Sequence, residues 1–281
     1  MGFNKVSEYY HENKQDFEVL VLGSSQMKDA VNPEWMNMPT LNMASGNQHH
    51  DTDFKILKTV VPQLPRLKTV VLEVSYSHLE LPHNGKEFWK NGIYYTYYGV
   101  NAFERPAWFK DRLIYLSNPR FFSERLIGHY KKTDPPAGFS TYGFDTLNYG
   151  GLFQDLKYSE AAIETKQRFR INETENPVIF RKNTALLHEI LEYLDDNGIQ
   201  VVLCTAPMYK SYLPRRNSKI TDRRDSVLTS IRWSKSHVRL LLKEEDTLLF
   251  KVTDFWNQSH LNPDGARKFT KELNDLLTSG R

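Results

Sequence analysis

The stretch "FEVLVLGSSQMKDAVNP", residues 17–33, reads as a strand that is apolar on both faces and stops at Gly23-Ser24-Ser25. Such a run of Val and Leu fits a strand covered by helices on both sides, as in a parallel sheet. The polar turn at its end is either an ordinary loop or a serine presented at the carboxyl edge of the sheet. Open α/β sheets bind their ligands at that edge. Four more runs share this composition, at 40–45, 67–75, 199–207 and 247–255.

Helical patterns lie between most of these runs. "DTDFKILKTVVPQL" puts Phe54, Leu57 and Val61 on one stripe before Pro62 interrupts it. A longer segment carries Leu186, Leu187, Ile190, Leu191 and Leu194 on one face and stops at Asn197-Gly198. In the last segment Asn262 is placed to cap, Pro263 suits the first turn, and Ala266, Phe269, Leu273 and Leu276 form the apolar stripe. Strands alternating with helices predict an α/β fold, a flavodoxin-like three-layer α/β/α arrangement around a five-stranded parallel sheet. Residues 78–175 break that rhythm and are rich in Tyr, Phe, Asn, Gly and Pro, including "NGIYYTYYGV" and "KKTDPPAGFSTYGF". They are too long for a loop, so a large insertion after the third strand is expected, a lid or subdomain. The α/β domain is then built from 1–77 and 176–281. The aromatic residues of the insertion are expected to serve packing more than binding.

Composition narrows the function classes. The 281 residues are 40% hydrophobic and 25% charged, with a formal charge of only +3. That balance is globular and offers no electrostatic footprint for nucleic acid. The single cysteine, Cys204, excludes an internal disulfide and a Cys-rich zinc site, and its apolar setting marks a core residue. No apolar stretch has the length of a transmembrane segment, the amino terminus shows no signal-peptide core, and Val6 stands where a myristoylation motif has Ser or Thr. A soluble chain is expected.

Three strand ends carry candidate chemistry. The first offers Ser25, the second "ASGNQHH" with Gly46 and Asn47, the last "TDFWNQSHLNPDG" with Asp254, Asn257 and His260. A serine hydroxyl needs a base to take its proton, and histidine does this near neutral pH. The base needs a third group to hold its ring, and the developing oxyanion needs fixed donors beside a closely approaching backbone. Ser25, His260, Asp254 or Asn257, and Gly46 supply those parts. His49-His50-Asp51 lacks the spacing of a helical metal motif, so a solvated helix start is expected, with no metal and no cofactor. "KSYLPRRNSKITDRR", 210–224, holds six Lys or Arg against one Asp and is a candidate attractor of an anionic polymer through Arg215 and Arg216.

These motifs resemble the SGNH (GDSL-type) hydrolases and acyltransferases. "VLGSSQ" looks like their first block, with Ser25 at the nucleophile position, and "LNMASGN" like the second, with Gly46 as oxyanion donor. "DFWNQSHLNPDGARKFTKEL" looks like the last block, with His260 as base, in the form carried by members that modify cell-envelope polymers. The resemblance covers the three strand-end motifs and the βα order, not the insertion. It implies a serine esterase or O-acyltransferase acting on an acylated carbohydrate or envelope glycopolymer through an acyl-enzyme on Ser25. It also implies an extracytoplasmic setting in a bacterium and, for a transferase, a membrane-bound acyl-donor partner. Two departures stand out. The third strand ends "LEVSYSH" without the family's Asn, leaving Ser75 as substitute oxyanion donor and Tyr76 as a substrate contact beside Asn47. Asn257 occupies the usual Asp position, with Asp254 three residues further upstream. These departures keep a second reading open, a catalytically inactive relative that binds a glycan or a partner.

Overall fold

The computed structural model describes residues 2–131, 138–166 and 169–279, so part of the Pro-containing stretch of the insertion lies outside the described residues. The first part of the chain runs α1 (Gly2–Glu12), β1 (Val19–Leu22), α2 (Ser25–Ala30), β2 (Thr40–Asn42), α3 (His50–Val60) and β3 (Thr69–Glu73). The insertion follows with α4 (Asn91–Tyr98), α5 (Ile114–Ser117), α6 (Pro119–Lys131), α7 (Leu152–Asp155) and α8 (Glu160–Thr165). The chain then completes the sheet through α9 (Pro177–Asp196), β4 (Gln200–Thr205), α10 (Ser218–Ser234) and β5 (Val238–Leu242). A short hairpin, β6 (Phe255–Asn257) and β7 (His260–Leu261), leads into α11 (Pro263–Thr278).

The five strands β1–β5 form one parallel sheet in the order β2-β1-β3-β4-β5. Successive side chains alternate across it and build two cores. Leu20, Leu22, Val70, Leu72, Val201 and Leu203 face α1, α3, α9 and α10. Val19, Val21, Val71, Val202 and Cys204 face α2 and α11, where Met27, Ala30, Phe269, Leu273 and Leu277 meet them. Both faces are therefore covered, which is why the strands read as unbroken apolar runs. The three-layer α/β/α fold and the helical insertion after β3 are as the sequence predicts. Asn262 caps α11, its side chain accepting from the N–H groups of Asp264 and Gly265.

The fifth strand is not where the sequence reading placed it. Residues 247–255 form turns and a short 3-10 segment, and Leu248 is 86% exposed. The sheet's last strand is "VRLLL", 238–242, set between charged neighbours and half-exposed along its length. An edge strand with one open side shows no continuous apolar run, and so it escaped detection. Helix α1 was also unforeseen. It buries Val6 and Tyr10 in the first core, while Tyr94 and Tyr98 of the insertion pack into the same cluster. Among the described residues no helix is long and apolar enough to cross a membrane.

The basic run does not face outward as an anion trap. Arg215 reaches Glu173 and the carbonyl of Phe169, and Arg216 reaches Glu244 and Glu245. Lys210 pairs with Glu160, Lys219 with Glu175, Arg223 with Glu80 and Glu175, and Arg224 with Glu244. Every cation of the run has an internal partner, and several of those partners belong to the tail of the insertion. The run is a set of struts, which overturns the substrate-binding expectation for Arg215 and Arg216.

Candidate active site

Strand β1 delivers the first group. Gly23 sits at φ +136°, a backbone conformation that a side chain rarely adopts, and a Cβ there would lie 2.6 Å from Glu73. This lets Ser24 fold back, its N–H and hydroxyl both donating to the buried Glu73 carboxylate at 2.6 and 3.0 Å. Ser24 also caps α2, accepting from the Gln26 N–H. Ser25 is thereby fixed as the first residue of the helix. Gly23→Ala is expected to cost about 1–3 kcal/mol, the range for overpacking, because the new methyl meets the Glu73 side chain; urea denaturation measures it, and an unchanged midpoint would contradict this account.

The hairpin β6–β7 delivers the second group. The Ser25 Oγ lies 2.8 Å from the Nε2 of His260, although 235 residues separate them in sequence. The His260 Nδ1 lies 3.1 Å from the Oδ1 of Asn257 and 3.0 Å from the Oγ of Ser259. The backbone N–H of Ser259 donates to that same Asn257 oxygen at 2.8 Å, which fixes the orientation of the amide. An oxygen facing Nδ1 requires the proton on Nδ1. The Nε2 then carries a lone pair and accepts from the Ser25 hydroxyl. Trp256 packs on the imidazole with ring centres 5.0 Å apart.

Burial pushes the His260 pKa below its usual value, with Asp29 pulling it up and Lys28 pushing it further down. Asp29 lies one turn along α2 from Ser25 and is largely buried. It supplies a carboxylate charge near the imidazole that no strand-end motif announces. Asp254 does not reach the ring. Its carboxylate accepts from the Lys251 N–H and from the Lys268 ammonium, both at 2.7 Å, so it braces the turn before β6 while Asn257 occupies the orienting position.

Gly46 stands beside Ser25, with the direction of its missing Cβ aimed 3.8 Å from the Ser25 Cβ. Lys90, from the insertion, donates to the Ser45 hydroxyl at 3.0 Å and to the Gly46 carbonyl. Burial, followed by the charge of Lys28, lowers the Lys90 pKa to about 8. Ser75 spends its hydroxyl on the Glu73 carboxylate at 2.7 Å rather than on a site beside Ser25. Tyr76 is buried, its hydroxyl donating to the Asn172 carbonyl and accepting from the Asn217 N–H, and it lines a small cavity that also reaches Ser25. Asn47 is exposed in the left-handed region at φ 58° and lines the same cavity.

A larger cavity of about 820 Å³ opens over Ser25 and Gly46. Its walls come from α1, α2, the segment around β2 and the insertion, with Trp89, Phe121, Tyr142 and Tyr149 as aromatic faces and Lys28, Lys90 and Arg125 as cations. Size and mixed character fit a bound organic ligand. Lys90 and Asp29 were missed in the sequence, since neither belongs to a strand-end motif. His49-His50-Asp51 does begin a helix, but the expectation that it is solvated fails at His50, which is fully buried and donates from Nε2 to the Glu73 carbonyl, 2.9 Å away.

No family model matches the sequence, and no curated protein matches it. Among solved structures the chain is similar to a protein described as a platelet activating factor from Streptococcus pneumonia, with TM-score 0.46 and 9% identity over 97% of this chain and 91% of that one. It is similar to a protein described as an acylhydrolase from Bacteroides fragilis, with TM-score 0.45 and 10% identity over 98% of this chain and 94% of that one. It is also similar to a GDSL-like lipase from Bacteroides thetaiotaomicron, with TM-score 0.45 and 8% identity over 99% of this chain and 100% of that one.

Proposed function

We propose that the chain is an SGNH-like serine esterase or O-acyltransferase that forms an acyl-enzyme on Ser25, with an acylated carbohydrate or envelope glycopolymer as substrate. The observation that carries this reading is the 2.8 Å contact between Ser25 Oγ and His260 Nε2, with the ring held in the accepting tautomer by Asn257. Ser25 attacks the ester carbonyl while its proton passes to Nε2. The oxyanion forms against the N–H groups of Ser25 and Gly46, with the Lys90 charge nearby. His260 returns its proton to the leaving oxygen, and water or a sugar hydroxyl receives the acyl group. The aromatic walls offer flat faces on which the C–H side of a sugar ring packs, with polar groups between them.

The non-catalytic alternative rests on Asn257, which orients the imidazole but lends no charge to its protonated form. A fluorophosphonate probe separates the two readings. Stoichiometric labelling that maps to Ser25 is expected; a folded protein that takes up no label would overturn the proposal.

The pH profile follows from the same groups. A base must be neutral, so kcat/KM rises with pH through the His260 pKa, which burial holds below 6.5. Lys90 must be protonated to oppose the oxyanion, so activity falls again as pH rises through about 8. A bell is expected, and Lys90→Met removes its alkaline limb. Persistence of that limb in the variant would exclude Lys90.

A further inference from the structure

Three side chains that the proposed reaction does not use meet in the interior next to the Gly23-Ser24-Ser25 turn. His50 and Asp53 stand three residues apart on the first turn of α3 and so share a face of the helix. His78 comes from the turn after β3. Each offers one ligand atom, and these atoms all lie within 4.8 Å of one another. The residues are 0%, 0% and 5% exposed, respectively. Each also leaves a buried polar atom without a hydrogen bond, namely His50 Nδ1, Asp53 Oδ2 and His78 Nε2. One such orphan costs about 1–3 kcal/mol, and three at one place call for a common partner.

The chemistry of the set points to a cation. His50 uses Nε2 on the Glu73 carbonyl at 2.9 Å, which leaves Nδ1 as a lone pair; metal-bound histidines are held in this way from behind. Gln48 donates to Asp53 Oδ1 at 2.7 Å and accepts from the Tyr94 hydroxyl at 2.8 Å, fixing the carboxyl with its other oxygen free. His78 and His49 also line the cavity of about 330 Å³ that reaches Ser25, a route by which a hydrated ion enters.

We propose that His50, Asp53 and His78 form a divalent transition-metal site, best suited to Zn²⁺, that ties α3 to the turn after β3 behind the nucleophile. Two imidazoles and one carboxylate are the nitrogen and oxygen donors Zn²⁺ accepts, with a fourth position left to water. Through the His50–Glu73 bond and the Glu73–Ser24 bonds, the ion braces the turn that carries Ser25.

The test uses the full chain, stripped by a chelator, shown to be folded by circular dichroism, and titrated with Co²⁺ and then Zn²⁺. One equivalent of Co²⁺ is expected, with the visible bands of a four-coordinate ion, bleached by Zn²⁺. Asp53→Asn and His78→Gln each weaken binding at least about tenfold, while His129→Ala, at an exposed histidine, leaves it unchanged. X-ray absorption on the zinc-loaded wild type shows two imidazole ligands, and this decides the matter if the variants do not fold. Absence of saturable binding to folded wild type, unaltered binding in both variants, or a zinc shell without imidazole would overturn the site. None of these readouts uses ester turnover, so their outcome is separate from that of the Ser25 reading.

Discussion

Under the proposed mechanism Ser25→Ala is expected to lower kcat/KM for an acetyl ester by about 10⁴-fold or more, and His260→Ala to a similar level. The two groups act as a unit, since the hydroxyl is inert until Nε2 takes its proton, and that base serves no purpose without the hydroxyl 2.8 Å away. The double variant is therefore no slower than either single one, and residual turnover reflects binding and the backbone donors alone. Asn257→Ala falls less far, because Ser259 Oγ also lies 3.0 Å from Nδ1 and keeps part of the ring's anchorage. Initial-rate kinetics on the purified variants, with circular dichroism to verify folding, measure these effects. Equal rates in wild type, Ser25→Ala and His260→Ala would eliminate the mechanism.

The largest stability effect is expected at Glu244, which follows β5 and is almost completely buried. Its carboxylate accepts from Arg216 and Arg224, both at 2.8 Å, and from the Tyr76 N–H at 3.0 Å. Glu244→Ala leaves the buried Arg224 guanidinium with only the partly exposed Asp225, and it leaves the Tyr76 amide without an acceptor. Removing one partner of a buried charge pair costs about 3–5 kcal/mol, since the remaining charge stays desolvated. Urea denaturation measures the loss. For comparison, removing the exposed Lys5–Glu8 pair on α1 is expected to shift the midpoint far less, since solvent screens it. A similar midpoint shift for both changes would show that the Glu244 network contributes little.

The parts legible in the sequence are those whose signal is local. β1 to β4 are buried on both faces and read directly as apolar runs, and α11 announces itself through Asn262, Pro263 and its stripe. Ser25 and Gly46 follow such strands, whereas Asn257 and His260 lie on the β6–β7 hairpin. What escaped is set by contacts across long stretches of chain. β5 is a five-residue edge strand, interrupted by Arg239 and followed by the charged run Lys243-Glu244-Glu245-Asp246, so its apolar signal is short. Arg215 and Arg216 look solvated until the fold brings Glu173, Glu244 and Glu245 against them. His50 is adjacent to the half-buried His49 yet fully buried, because the first turn of α3 rotates it toward the end of β3. Lys90 and Asp29 belong to no motif, and only the packing of the insertion and of α2 brings them to Ser25.

The two sides of the large cavity have different origins. Ser25 and Gly46 belong to the α/β layers, whereas most of the remaining wall, Lys90 included, comes from a single excursion of the chain. The reacting centre hangs from the neighbouring strand through Ser24 and Glu73, independently of that excursion. If the proposed reaction holds, its acceptor preference is expected to follow this excursion, so that grafting alternative lids onto the unchanged α/β layers changes it, provided the ammonium of Lys90 is supplied again.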